Sequence, residues 1–196
     1  MKKGLNEVVF LIDCSESMEA NTDKVIADFN RLLDEYKTNM SEALVTTIMF
    51  NERSKIFHDR VDIRTVNPMT KEDYTLKGKT AFVDAMGLTI KHISTIQRYA
   101  RDEDKPESTV FVVMTDGKDD ASKRYTVDEI DKSVKRRIEK FGWQFVYTLT
   151  DLDTVVTSYI VSKVTETETV STEADDMTEY IDDLIRVLER NPAKVK

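Results

Sequence analysis

The sequence predicts an α/β protein: a doubly wound, Rossmann-like three-layer sandwich on a mostly parallel six-stranded sheet with one antiparallel edge strand. Three observations predict it. Apolar runs of strand length alternate with amphipathic stretches at helical spacing, the pattern of repeated strand–helix units. The first run, Val8-Val9-Phe10-Leu11-Ile12, is apolar without alternation, as a strand covered on both faces must be. Two further strands are joined too closely for a parallel crossover, so they form a hairpin at one edge.

Taken in order, residues 7–13 form the first, central strand. A helix over about residues 20–38 follows, because Val25, Ile26, Phe29, Leu32, Leu33 and Tyr36 fall on one stripe. Strands over 43–50 and 55–63 flank the turn Asn51-Glu52. Residues 64–79 are polar, contain Pro68 and Gly78, and read as a long loop. The next helix runs from 81 to about 100 and buries Phe82, Met86, Ile93 and Ile96. A strand over 110–114 stops at Thr115-Asp116-Gly117. Thr126 with Glu129 forms a capping box for a helix whose stripe is Val127, Ile130, Val134, Ile138 and Phe141. Gly142 ends that helix, and residues 143–149 form the next strand. Beyond it the sequence predicts a short helix over 152–159 and a last edge strand over 160–164. A C-terminal helix through Met177, Ile181, Leu184 and Leu188 ends before Pro192.

The length of 196 residues suits one domain, 1–196. The net charge of −8 argues against nucleic acid as a partner. A single cysteine excludes an internal disulfide and fits a reducing compartment. The apolar run after Met1-Lys2-Lys3 is too short for a signal peptide or a membrane span, so the expected location is cytoplasmic, with no membrane partner.

Chemistry concentrates where strands end. Asp13, Ser15 and Ser17 alternate, so in an extended segment their oxygens aim at one spot. That spot lies past the carboxyl end of a strand, where open α/β sheets keep ligands. Asp116 leaves the fourth strand in the same way, and Thr80, in Gly78-Lys79-Thr80-Ala81, precedes a helix. Oxygen donors of this kind suit a hard cation such as Mg²⁺. Against this stands a plainer reading, in which Ser15 or Ser17 caps a helix. Cys14 is expected to point into the core. Asp119 and Asp120 read as solvated or as caps of the following turn, and Asp84 as structural. His58 and His92 lack partners at zinc-ligand spacing.

Asp13-x-Ser15-x-Ser17, Thr80 before its helix and Thr115-Asp116-Gly117 together resemble the von Willebrand factor type A domain over about residues 5–190. They match the three parts of that family's metal-ion-dependent adhesion site, in a form similar to the small stand-alone bacterial and phage members. The resemblance implies Mg²⁺ (or Mn²⁺) held by Ser15, Ser17 and Thr80, with Asp13 and Asp116 acting directly or through water. It implies a protein partner whose carboxylate completes the metal shell, and adaptor roles for larger assemblies, AAA+ ATPases among them. No catalytic residue is identified, so the chain is not expected to be an enzyme. Two rivals remain: a metal-assisted phosphoryl hydrolase on a similar sheet, and a structural domain that keeps the motif without an ion.

Overall fold

The computed structural model describes residues 1–40 and 42–149. Strand β1 (Lys2–Asp13) is the middle of a five-stranded sheet among these residues. It is followed by α1 (Thr22–Asn39), β2 (Glu42–Phe50) and β3 (Ser54–Asp62). Then come α2 (Phe82–Tyr99), β4 (Pro106–Thr115), α3 (Val127–Phe141) and β5 (Gln144–Leu149). The strand order is β3-β2-β1-β4-β5. All neighbours pair in parallel except β2 and β3, the expected antiparallel edge. The sixth strand and the two last helices predicted from the sequence lie outside the described residues.

The strand faces explain the three layers. Val8, Phe10 and Ile12 point to α1, where Phe10 meets Phe29 edge-on at 4.7 Å. Val9 and Leu11 point the other way, toward α2 and α3, so β1 buries both faces. On that second side Phe111 stacks on Trp143 at 5.2 Å, and Phe82 of α2 lies against Phe50. Helix α3 has its capping box at Thr126 and Glu129, and Gly142 ends it in the left-handed conformation with φ 62°.

The differences from the sequence reading are local. β1 begins at Lys2 rather than residue 7, and β4 at Pro106 rather than residue 110. Polar residues extend both strands because Lys2 and Asn6–Glu7 of β1 pair with Pro106 and Ser108–Thr109 of β4. After Ser15 comes a 3-10 turn, Glu16–Asn21, and α1 starts only at Thr22. Phe141 is 54% exposed instead of buried; its ring lies beneath the Arg137 guanidinium at 5.1 Å. Ile96 is only partly buried.

Edge strand β3 is irregular. Its register against β2 shifts around Thr47, and Arg60 sits there with φ 50°, unusual for a non-glycine residue. The Arg60 Nε lies 2.8 Å from Oε1 of the fully buried Glu7, while Gln97 Nε2 donates to Glu7 Oε2 at 2.6 Å. Burial pushes the Glu7 pKa up, against the pull of Gln97 and Arg60. No helix among the described residues is long and apolar enough to cross a membrane.

Candidate metal centre

Because β1 lies between β2 and β4, its carboxyl end is the point where the chain's winding reverses, and the loops on either side diverge there. Asp13 ends β1 at that point and is fully buried. Its Oδ1 accepts the Ser15 backbone N–H at 2.9 Å, and its Oδ2 accepts the Thr115 hydroxyl at 2.7 Å. Burial pushes the Asp13 pKa up; the bonds from Thr115 and Ser15 oppose that, and the nearby Asp116 charge adds to it. Ser15 is buried, Ser17 is exposed, and their hydroxyl oxygens stand 3.1 Å apart. Cys14, between them in sequence, faces the α1-side core as expected, and its thiol donates to the Phe50 carbonyl at 3.1 Å.

Asp116 leaves the neighbouring strand β4 and is 4% exposed. Gly117, at φ 79°, lets the chain turn back so that its N–H reaches the Thr115 hydroxyl at 3.1 Å. Lys118 folds onto Asp116 with both its nitrogens: its N–H donates to Oδ1 at 3.2 Å and its ammonium to Oδ2 at 3.0 Å.

The Thr80 segment is fastened to both of the others. Lys77 N–H donates to the Cys14 carbonyl at 2.9 Å, and Glu16 N–H to the Gly78 carbonyl at 3.0 Å. The Glu16 carboxylate accepts the Gly78 N–H at 3.1 Å. Toward β4, Asp120 Oδ1 accepts the Thr80 N–H at 2.9 Å, and the Thr80 carbonyl accepts the N–H groups of Asp120 and Ala121. Asp119 accepts the Val83 N–H in the first turn of α2 at 3.0 Å. Asp84 accepts three backbone N–H groups, from Lys123, Arg124 and Tyr125, at 2.8 to 2.9 Å.

Thus the structure ties the three segments carrying Asp13-Ser15-Ser17, Thr80 and Asp116 into one hydrogen-bonded rim. Asp13, Ser15, Thr80 and Asp116 are buried there and Ser17 faces solvent. Asp84 is structural, as expected. Asp119 caps the following turn through Ser122 N–H and Asp120 is exposed, as expected; in addition both clamp the start of α2. Sequence reasoning missed the Thr115 hydroxyl on Asp13, Lys118 on Asp116, and Tyr74, whose phenol donates to the Asp13 carbonyl. The available signal for Thr115 was its place beside Asp116 at the end of a strand, in Thr115-Asp116-Gly117. Nothing in the sequence points to Tyr74.

The side-chain donors that could face an ion at this rim, Asp13, Ser15, Ser17, Thr80 and Asp116, all carry oxygen. Among the described residues no group of three or more His, Cys, Asp or Glu is placed to hold a metal, so any ion here would depend on hydroxyls as well as carboxylates.

A doubly wound α/β domain with an oxygen-lined rim at its switch point is the class that fold and site define. The model of the von Willebrand factor type A domain matches residues 7–186, nearly the whole chain, and the protein belongs to that family, which often mediates protein–protein interactions. Two solved structures share the fold, and a third is a weaker likeness. A mutant of the PilB minor pilin from Streptococcus sanguinis has TM-score 0.62 at 9% identity, over 94% of this chain and 61% of that one. A von Willebrand factor type A structure from Catenulispora acidiphila has TM-score 0.53 at 15% identity, over 81% and 37%. The N-terminal domains of the type V pili tip protein Mfa5 from Porphyromonas gingivalis give 0.43 at 16% identity, over 57% and 20%. The chain therefore spans between a fifth and three fifths of these proteins' lengths. No curated protein sequence matches it.

Proposed function

We propose that the chain is a metal-dependent protein-binding module that presents Mg²⁺ (or Mn²⁺) to an acidic residue of a partner. The observation that carries this reading is the convergence of two buried carboxylates and three hydroxyl-bearing residues on one rim built from three distant segments. The donor set fits a hard divalent ion: two carboxylates balance its charge, and hydroxyls complete a shell without adding any. The 3.1 Å between the Ser15 and Ser17 oxygens supports the fit. Adjacent ligands of an octahedral ion at about 2.1 Å lie about 3.0 Å apart. A cationic group, the Lys118 ammonium, already rests on Asp116, which supports a preference for positive charge there.

Bound there, the ion would supply an electrophilic centre with exchangeable positions open to a carboxylate. Ser15, Ser17 and Thr80 are the proposed direct ligands, completing the family's adhesion site. Asp13 and Asp116 hold the ion directly or through water, and Thr115 and the Ser15 N–H orient Asp13. The module is further proposed to be a stand-alone, cytoplasmic adaptor of bacterial or phage type, with an AAA+ ATPase as one candidate partner. Calorimetric titration of Mg²⁺ into the wild type, Asp116→Ala and the double variant Ser15→Ala/Ser17→Ala tests the site. Binding by the wild type and its loss in both variants is expected; unchanged uptake in the variants overturns the assignment. An affinity pull-down in Mg²⁺ against chelator then reads the partner.

A further inference from the structure

Lys118 engages a proposed metal ligand through both its backbone and its side-chain nitrogen. Its backbone N–H uses Asp116 Oδ1 and its ammonium uses Oδ2, so the pair spans both oxygens of a carboxylate that is itself 4% exposed. The lysine side chain, by contrast, is 57% exposed and reaches Asp116 from the solvent side. The two other acids of the neighbouring loop are committed elsewhere, Asp119 to Val83 and Ser122 and Asp120 to Thr80, all through backbone N–H groups. Asp13 is likewise held by Ser15 and Thr115.

We infer that Lys118 is a built-in rival of the divalent ion: its ammonium rests on Asp116 while the rim is ion-free, must swing out when an ion enters, and then stands at the rim as a second anchor for an acidic partner. This rests on the metal-binding reading and specifies how that site is regulated. The argument is electrostatic. A monovalent ammonium and a divalent ion beside the same small, poorly hydrated carboxylate repel one another, so tenancy is exclusive. Counting Asp13, Asp116 and Lys118, the formal charge is −1 before loading and +1 after it. Loading makes the rim two units less negative, which weakens its repulsion of carboxylates, and the displaced ammonium adds a cation beside them. Metal affinity is held down by the rival, and partner affinity is raised by it.

The effect is modest, because the lysine is largely solvated and such exposed pairs are weak. Removing the ammonium with Lys118→Met should tighten Mg²⁺ binding about two- to five-fold, and Lys118→Arg should stay near the wild type. Both are read by calorimetry on the full chain, with thermal melts to confirm folding. In Mg²⁺, a peptide with two adjacent glutamates should bind Lys118→Met more weakly than wild type. Mg²⁺ affinity that is unchanged or weaker in Lys118→Met, while Asp116→Ala abolishes binding, overturns this inference and leaves the metal site standing. Absence of Mg²⁺ binding in the wild type overturns both.

Discussion

Replacing Asp84 by alanine removes one carboxylate that accepts three backbone N–H groups, those of Lys123, Arg124 and Tyr125. These bonds tether the loop after β4 to the first turn of α2, and so fix the spacing between Asp116 and Thr80. A hydrogen bond to a charged group is worth about 1.5–3 kcal/mol. The Lys123 and Arg124 bonds lie in exposed surroundings, so water replaces much of what they supply, whereas the Tyr125 bond is partly buried. Counting one bond in full and two at a discount, the loss is about 2–4 kcal/mol. Burial alone would raise the Asp84 pKa, but the three N–H bonds outweigh it and hold the carboxyl below its ordinary value of 3.8. The stabilisation is therefore complete above about pH 4 and fades as pH falls through the lower folded value. Urea denaturation of wild type and Asp84→Ala at neutral pH and near pH 3 measures both quantities. A gap below about 0.5 kcal/mol at neutral pH, or one that does not shrink in acid, would refute the reasoning.

Other outcomes follow from single contacts. A Cβ on Gly87 would lie 2.6 to 2.8 Å from the Tyr125 ring, so Gly87→Ala should lose about 1–2 kcal/mol despite alanine's better helix propensity; a more stable variant would contradict this. Because Tyr125 N–H is also bonded to Asp84, a double-mutant cycle between Asp84→Ala and Gly87→Ala should show coupling. Tyr74→Phe leaves the buried Asp13 carbonyl without its phenol and should cost about 1–2 kcal/mol in denaturant titration; a neutral result would show that water replaces it. Burial, with help from the Asp13 charge, pushes the Cys14 thiol up to about 11. Native protein should therefore react with a disulfide reagent far more slowly than urea-unfolded protein, and equal rates would refute the buried placement.

The parts of the fold that follow from local chemistry were legible. The unbroken apolar run of β1, the capping box at Thr126 and the stop at Gly142 each follow from residues adjacent in sequence. Boundaries failed where tertiary pairing decides. Lys2–Asn6 and Pro106–Ser108 are strand only because they lie beside each other. The 3-10 turn Glu16–Asn21 displaced the start of α1 because the backbone there is already bonded to the Thr80 loop. At the rim, the polar residues could be read from their alternation and their place at strand ends. The partners of their supports could not be, since Asp84, Asp119, Asp120 and Tyr74 each reach a residue 36 or more positions away. The Arg60–Glu7 pair was hidden for the same reason.

The irregular edge strand also governs how this chain can meet other copies of itself. An incoming strand could follow β3 for only a few residues before the left-handed Arg60 broke its alignment. Among the described residues, extension of the sheet past β3 is therefore disfavoured on that flank.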